Sequence, residues 1–466
     1  MVSPSVEQEH SSHLQSGQLS FGRRDRIPPA NDPRTKVVDE AMIARGLMTP
    51  ERLAEIHQVG GEMDRIDPPR EHFAQRAEAA VELDREQRRE RTRQRKADAL
   101  RRREERKQEI AHQQASDIIF LGRGVSRSLG NRTSNVDELT RRGLPQMATP
   151  ADVAKMLNIS ISRLRWLAFH SVCATRVHYV SFEVAKRSGG ARRLAAPHKV
   201  MARCQKWINE KILSKLGAHS AAHGFVKRRS IVTNAIPHVD REIVVNLDLE
   251  EFFPSITFPR VQGLFQRFGY SPSVATVLAL LCTECPRKRV EFNGSKYYVA
   301  LGERSLPQGA CTSPAISNLI AYRLDCRLTG LAGKIGWTYT RYADDLTFSI
   351  SDGEKSPTKL ISVVGKIVEA EGFQLNHKKS RILRRSTCQS VTGVIVNSHP
   401  APRRDLVRQL RAILHRASHE GLAAQNRENR PNYPSWLRGQ IAYVSMLNPS
   451  QGAKLLQAFL ALPAED

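Results

Sequence analysis

Hydrophobic and polar positions alternate most cleanly in two stretches of the chain. Trp337, Tyr339 and Tyr342 lead up to Asp344 and Asp345, and Leu346, Phe348 and Ile350 alternate beyond them. Two period-two runs around a polar pair predict a β-hairpin with both aspartates at its turn. A shorter apolar run over residues 243–249 predicts a strand that delivers Asp248 at its end, just before Phe252 and Phe253. Alternation over 177–184, resumed at 194–197, predicts a strand pair around a turn with Lys186, Gly189, Gly190, Arg192 and Arg193. Helical periodicity covers 200–216, 256–283, 312–319, 360–371 and 406–466, with Trp436 and Tyr443 as core or stacking residues of the last segment. Thr149 and Pro150 read as the N-cap and first position of a helical lead-in reaching Phe169.

The first part of the chain follows different rules. Residues 1–70 are polar and read as flexible, with a short helix at 42–59. Residues 71–114 are dominated by Arg, Glu, Gln and Ala, and opposite charges three and four apart support an exposed helix. Apolar residues there are too sparse for a coiled-coil seam. Residues 117–145 read as a Gly- and Ser-containing linker, and the glycines near Phe120 lack the Lys-Ser/Thr ending of a phosphate-binding loop.

Charge narrows the class of partner. The 466 residues carry 72 Lys+Arg against 47 Asp+Glu, a formal net charge of +25. That excess points to a polyanion, and nucleic acid fits better than a membrane surface. No apolar run of membrane-spanning length and no secretory signal pattern is present, so a cytoplasmic location is expected. The seven cysteines are scattered and read as reduced thiols; Cys282 and Cys285 have zinc-like spacing without a second ligand pair.

Two adjacent carboxylates repel one another, so Asp344 and Asp345 admit two readings: a solvated turn, or a site holding a cation such as magnesium against substrate phosphates. Asp248 is a second candidate metal carboxylate. The basic turn at 186–193 suits closure over phosphates, and equally a surface loop.

These motifs follow one another in a recognisable order: the basic turn at 186–197; Asp248 to Phe253; Leu306-Pro307-Gln308-Gly309 with Ser313 and Pro314; Tyr342-Ala343-Asp344-Asp345; and a basic turn with Asn376 and Lys379. The series resembles the reverse transcriptases. Asn234-Ala235-Ile236-Pro237-His238 and Val391-Thr392-Gly393 are similar to the two signatures of the bacterial retron enzymes, especially the myxobacterial type with a long N-terminal extension. The resemblance covers residues 145–466.

It implies an α+β right-hand polymerase fold: fingers at 146–240, an antiparallel palm with part of the fingers at 241–395 and a helical thumb at 396–466, behind an N-terminal extension of 1–70 and 71–145. It further implies two Mg2+ ions held by Asp248, Asp344 and the Leu249 carbonyl, with Asp345 adding charge or a looser ligand. Lys186, Arg192, Gln308 and Lys379 would contact the incoming dNTP, Lys379 as a general acid. Phe253 would exclude ribonucleotides. Asn234, His238, Tyr342, Val391, Thr392 and Gly393 would meet primer or RNA. The implied activity is copying part of a noncoding RNA (msr-msd) into branched msDNA from a guanosine 2′-hydroxyl, in defence against phage, with an accessory effector or toxin. No RNase H segment is expected, so host RNase H would remove RNA. The rivals are group II intron or diversity-generating reverse transcriptases, whose added domains the stretch after Gly393 is too short to hold, and a non-catalytic RNA-binding protein on the same fold.

Overall fold

Among the described residues, eleven strands form where alternation and turn chemistry favour them. They are β1 (Cys173–Ala174), β2 (Tyr179–Ala185), β3 (Ala191–Pro197), β4 (Ile243–Asp248), β5 (Arg287–Phe292), β6 (Ser295–Ala300), β7 (Thr338–Tyr342), β8 (Asp345–Ile350), β9 (Arg381–Arg384), β10 (Ser390–Val391) and β11 (Val394–Ile395). The computed structural model describes residues 27–66, 70–185 and 191–463. The basic turn containing Lys186 lies outside the described residues, as do residues 1–26. The chain divides into two units, Met1–Lys107 and Gln108–Asp466.

In the second unit β7, β8, β4 and β9 form one antiparallel sheet in that order. Alternation decides its faces. Ile243, Val245 and Leu247 of β4 join Leu346, Phe348 and Ile350 of β8 in the main apolar core. Helices Phe258–Arg267, Pro272–Cys282, Tyr322–Ile335 and Pro357–Ala370 contribute to that core. Val244, on the opposite face of β4, packs instead with Ala235, Val391, Val394, Val396 and Leu447. Burial on both faces explains why residues 243–249 read as a nearly unbroken apolar run. A third cluster joins helices Arg404–Glu420, Tyr433–Leu447 and Pro449–Leu460. This is the palm-and-thumb arrangement that the resemblance implies.

Two expectations change. The stretch 117–145 is no free linker: Ile118, Leu121, Val125, Leu129, Leu139 and Leu144 are buried in the main core. Its glycines and serines masked an irregular but apolar spacing. In the first unit, the helix expected at 42–59 is instead two helices, Pro33–Ala44 and Pro50–Ile66. The break follows from a turn at Gly46 (φ +70°) and a new start at Thr49-Pro50, where Thr49 Oγ1 accepts from the Arg52 amide. His57 ties the two together, one ring nitrogen 2.9 Å from the Asp39 carboxylate and the other 2.9 Å from the Pro28 carbonyl. The Arg- and Glu-rich stretch is one helix, Arg70–Ser116, with Asp84–Arg88 and Arg101–Glu105 ion pairs one turn apart. No helix among the described residues is long and apolar enough to cross a membrane.

Candidate active site

Strand register brings the three aspartates together. Asp248 ends β4 and pairs directly with Asp345, the first residue of β8. Both stand on the sheet face opposite the helical core, with the Asn246–Thr347 hydrogen bond (3.2 Å) one pair further along. The turn comprises Ala343 and Asp344, because Tyr342 already pairs with Asp345. Asp345 is thus a strand residue rather than a turn residue.

That turn is strained and held from several sides. Ala343 alone of its two residues has a positive φ, +57°. A two-residue hairpin loop of this pattern favours glycine, and a side chain there costs about 1–3 kcal/mol. Arg341 Nη1 donates to the Ala343 carbonyl at 3.0 Å, and the Leu249 amide donates to the Asp344 carbonyl at 2.9 Å. Gly224 lies so close that a Cβ there would come within 2.5 Å of the Ala343 nitrogen. Arg341 is itself wholly buried. Its guanidinium forms a fork with Asp325 (2.7 and 2.8 Å) and donates to Asn318 Oδ1 (3.0 Å), while Tyr339 donates its hydroxyl proton to Asp325 (2.9 Å). Sequence reasoning assigned none of these supporting residues a role. The available signal was a lone arginine inside an apolar strand, which demands a buried partner that the sequence does not name.

Electrostatics set the three carboxylates apart from the rest of the surface. Burial raises the Asp344 pKa, and the Asp248 charge adds to it, against Lys379 and Arg192. Desolvation by the surrounding protein, then Asp344 and Asp248, push Asp345 up to about 7, again against Lys379, although its side chain stays open to solvent on one side. Lys379 Nζ sits on both Asp248 oxygens, at 2.9 and 3.0 Å. An oxygen-only, proton-retaining donor set suits a hard divalent cation such as magnesium. Among the described residues no group of three His, Cys, Asp or Glu side chains is arranged so that it could hold a metal ion. Magnesium affinity is therefore expected to climb up to about tenfold per pH unit as Asp345 loses its proton, levelling off above about pH 7. The same raised pKa means that Asp345 favours the metal-free fold below about pH 4 and that this contribution fades as pH rises through about 7. Magnesium titrations of the melting temperature between pH 5.5 and 8.5 would check both signs; a pH-independent affinity would refute them.

The remaining expected site residues lie as follows. Arg192 is on β3, its charge felt at Asp344. Gln308 is joined to the same strand, its carbonyl accepting from the Ala195 amide at 2.7 Å. Phe252 is core, against Phe373 at 5.6 Å, whereas Phe253 is half-buried beside Phe225 at 6.2 Å. Tyr342 is half-buried on β7, and Leu249 follows β4.

The retron signatures meet in space, but not as an open RNA surface. Asn234, His238 and Val391 are fully buried, so direct RNA contact by these three is corrected by the structure. His238 bridges Ser349 Oγ (2.7 Å) on β8 and Thr340 Oγ1 (2.8 Å) on β7, and burial lowers its pKa to about 3. It is a neutral brace behind the aspartate hairpin. Asn234 reaches Thr392 Oγ1 at 3.5 Å. Thr392 and Gly393, with φ of +47° and +85°, form the two-residue turn between β10 and β11, and the Tyr443 hydroxyl donates to the Gly393 carbonyl at 3.0 Å. Thr392 and Gly393 are the solvent-facing part of that signature. The zinc-like pair is also set aside: both cysteines are buried free thiols, and burial pushes Cys282 up to about 12.

Comparison with known proteins agrees with this geometry. Residues 184–396 match the family "Reverse transcriptase (RNA-dependent DNA polymerase)". The chain is 40% identical over 388 residues to the retron Mx162 reverse transcriptase of Myxococcus xanthus, covering 78% of each chain. It is 43% identical over 330 residues to the retron Mx65 reverse transcriptase of the same organism, covering 71% of this chain and 75% of that one. To the retron Ec86 reverse transcriptase of Escherichia coli it is 33% identical over 282 residues, covering 60% and 82%. With three aspartates gathered on one palm sheet and these relatives, the chain belongs to the retron reverse transcriptases and is an RNA-directed DNA polymerase.

Proposed function

We propose that this polymerase copies part of a structured noncoding RNA (msr-msd) into msDNA, starting from a guanosine 2′-hydroxyl, by two-magnesium nucleotidyl transfer. The observation that carries the nucleotidyl-transfer part of the reading is the direct cross-strand pairing of Asp248 with Asp345 beside Asp344, and the similarity to retron enzymes supports the rest. Asp248, Asp344 and the Leu249 carbonyl would hold the ions, with Asp345 as charge or looser ligand. When bound, magnesium supplies activation of the primer hydroxyl and neutralisation of charge on the triphosphate.

The chain's own residues do the rest. Arg192 and Gln308 border the nucleotide, joined by Lys186 from the basic turn. Lys379, on releasing Asp248, would hand a proton to the departing pyrophosphate. Tyr342 flanks the primer end, and Thr392 and Gly393 present the thumb-side turn to RNA. Phe253 sets its ring against the sugar C2′ and leaves no space for a 2′-hydroxyl. Phe253→Ala is therefore expected to raise rNTP over dNTP selection by roughly ten- to hundredfold, a steric term of about 1–3 kcal/mol; unchanged selectivity in competitive primer extension would remove the residue from this role.

The wider reading places the protein in the cytoplasm, in a retron defending against phage with an accessory effector or toxin, and with host RNase H trimming the RNA. The test is a denaturing gel of RNase-treated nucleic acid from cells expressing the gene with its flanking DNA. A discrete short DNA that debranching enzyme shortens, and that Asp344→Asn abolishes, supports the proposal. Its absence beside intact activity on generic primer–templates would overturn the msDNA reading.

A further inference from the structure

A cleft of about 800 Å³ lies beside the helix Ile161–Ala168, between it, the segment after Asp117 and strand β1. None of its lining residues belongs to the aspartate site. Phe120 and Phe169 line it edge to face, 6.2 Å between ring centres, and are 51% and 45% exposed. Trp166 is the third ring, 37% exposed, with the Arg163 guanidinium 4.2 Å from its centre and the His178 ring edge to face at 4.3 Å, so a base reaches it only by displacing Arg163 or along its open edge. A second cleft of about 610 Å³ shares Trp166 and Arg176 and continues onto Lys199.

Charge indicates what covers these rings. Both carboxylates in the wall of the first cleft are already neutralised within the protein: Asp117 by Arg132, and Glu284 by Arg287 (2.9 Å) and Arg304 (3.6 Å). Arg163, Arg165, Arg176 and Lys199 have no carboxylate partner among the described residues. Exposed aromatic faces among uncompensated cations suit a polyanion that carries flat rings of its own. A duplex hides its base faces in the stack, whereas unpaired nucleotides offer them.

We propose that this double cleft binds unpaired nucleotides of single-stranded RNA, bases stacking on Phe120, Trp166 and Phe169 and phosphates meeting Arg163, Arg176 and Lys199. The site rests on the RNA-copying reading but is a surface separate from the catalytic one. It holds a single-stranded part of the RNA away from the aspartates while another part is copied.

The test uses the full chain with its catalytic channel saturated by an unlabelled primer–template duplex. A fluorescein-labelled oligouridine of about twelve nucleotides, within the ~4–16-nucleotide range of single-strand sites, is then titrated by anisotropy at several salt concentrations. The wild type is expected to bind it as a second event. Trp166→Ala should weaken that binding about ten- to hundredfold and Trp166→Phe should restore most of it. The surface pair Arg163→Gln/Arg176→Gln, which leaves the core untouched, should lower the slope of log affinity against log salt by roughly 0.7 per arginine. Primer extension on the duplex should be unchanged in every variant. No second binding event, or variants matching wild type in affinity and slope, would overturn the proposal and leave the cleft to a protein partner. Wild type failing to extend the duplex at all would instead sink the polymerase reading, so the two failures are distinguishable.

Discussion

Asp344→Asn is expected to abolish dNTP incorporation, by at least about a thousandfold, while leaving the protein folded and more heat-stable than wild type. The loss follows from the two-metal reading, since a neutral amide cannot supply the charge that holds an ion against the triphosphate. The stability gain follows from electrostatics that do not depend on that reading. Asp344 is a partly buried turn carboxylate that feels the Asp248 charge, and both burial and that charge disfavour its ionised form. Replacing it by an isosteric amide removes the repulsion and keeps the shape. Asp345→Asn should give the same sign on stability, because desolvation and the charges of Asp344 and Asp248 likewise disfavour its ionised form, and on the looser-ligand reading a smaller loss of activity. Primer extension with saturating magnesium, beside thermal melts, reads both quantities. An Asp344→Asn protein that is inactive and less stable would mean that the aspartate supports the fold, and that the stored repulsion argued here is wrong.

Breaking the Arg341–Asp325 pair is expected to have the second largest effect. Both side chains are wholly buried, and removing one partner of a buried pair costs about 3–5 kcal/mol because the other is left charged without compensation. Arg341→Leu should therefore lower stability by that amount and reduce activity strongly. The informative variant is Arg341→Leu/Asp325→Leu. Removing both charges should recover most of the stability, since apolar replacements of buried pairs are often neutral or better. Activity should not recover, because the Ala343 carbonyl loses the Arg341 donor that helps keep the turn at positive φ. Chemical denaturation and single-turnover incorporation separate the two outcomes. A double variant that regains turnover along with stability would show that the pair merely fills the core.

Much of this site was legible along the chain. The hairpin at 337–350 and the strand before Asp248 follow from period-two alternation, a local property that survives without knowledge of partners. The order of the motifs carried the family and the α+β fold class. The split of the expected 42–59 helix was legible in principle, since Thr49-Pro50 is a helix start. The linker reading of 117–145 failed because irregular packing leaves no period to detect, yet Leu121 and Leu139 are core.

What the sequence by itself determined is the set of elements and the chemistry each carries: an aspartate ending one strand, an aspartate pair at a hairpin, a basic turn, a positively charged chain. What only the tertiary structure decided is which of these groups meet. Asp248 faces Asp345 through a register that joins residues far apart in sequence, and Lys379 closes on Asp248 from a third segment. Asn234 and His238, polar enough to suggest an RNA contact, are instead buried braces, one on Thr392 and the other on the aspartate hairpin. The reason is physical: a buried polar or charged group is stable only with partners, and those partners are chosen by packing in three dimensions rather than by spacing along the chain.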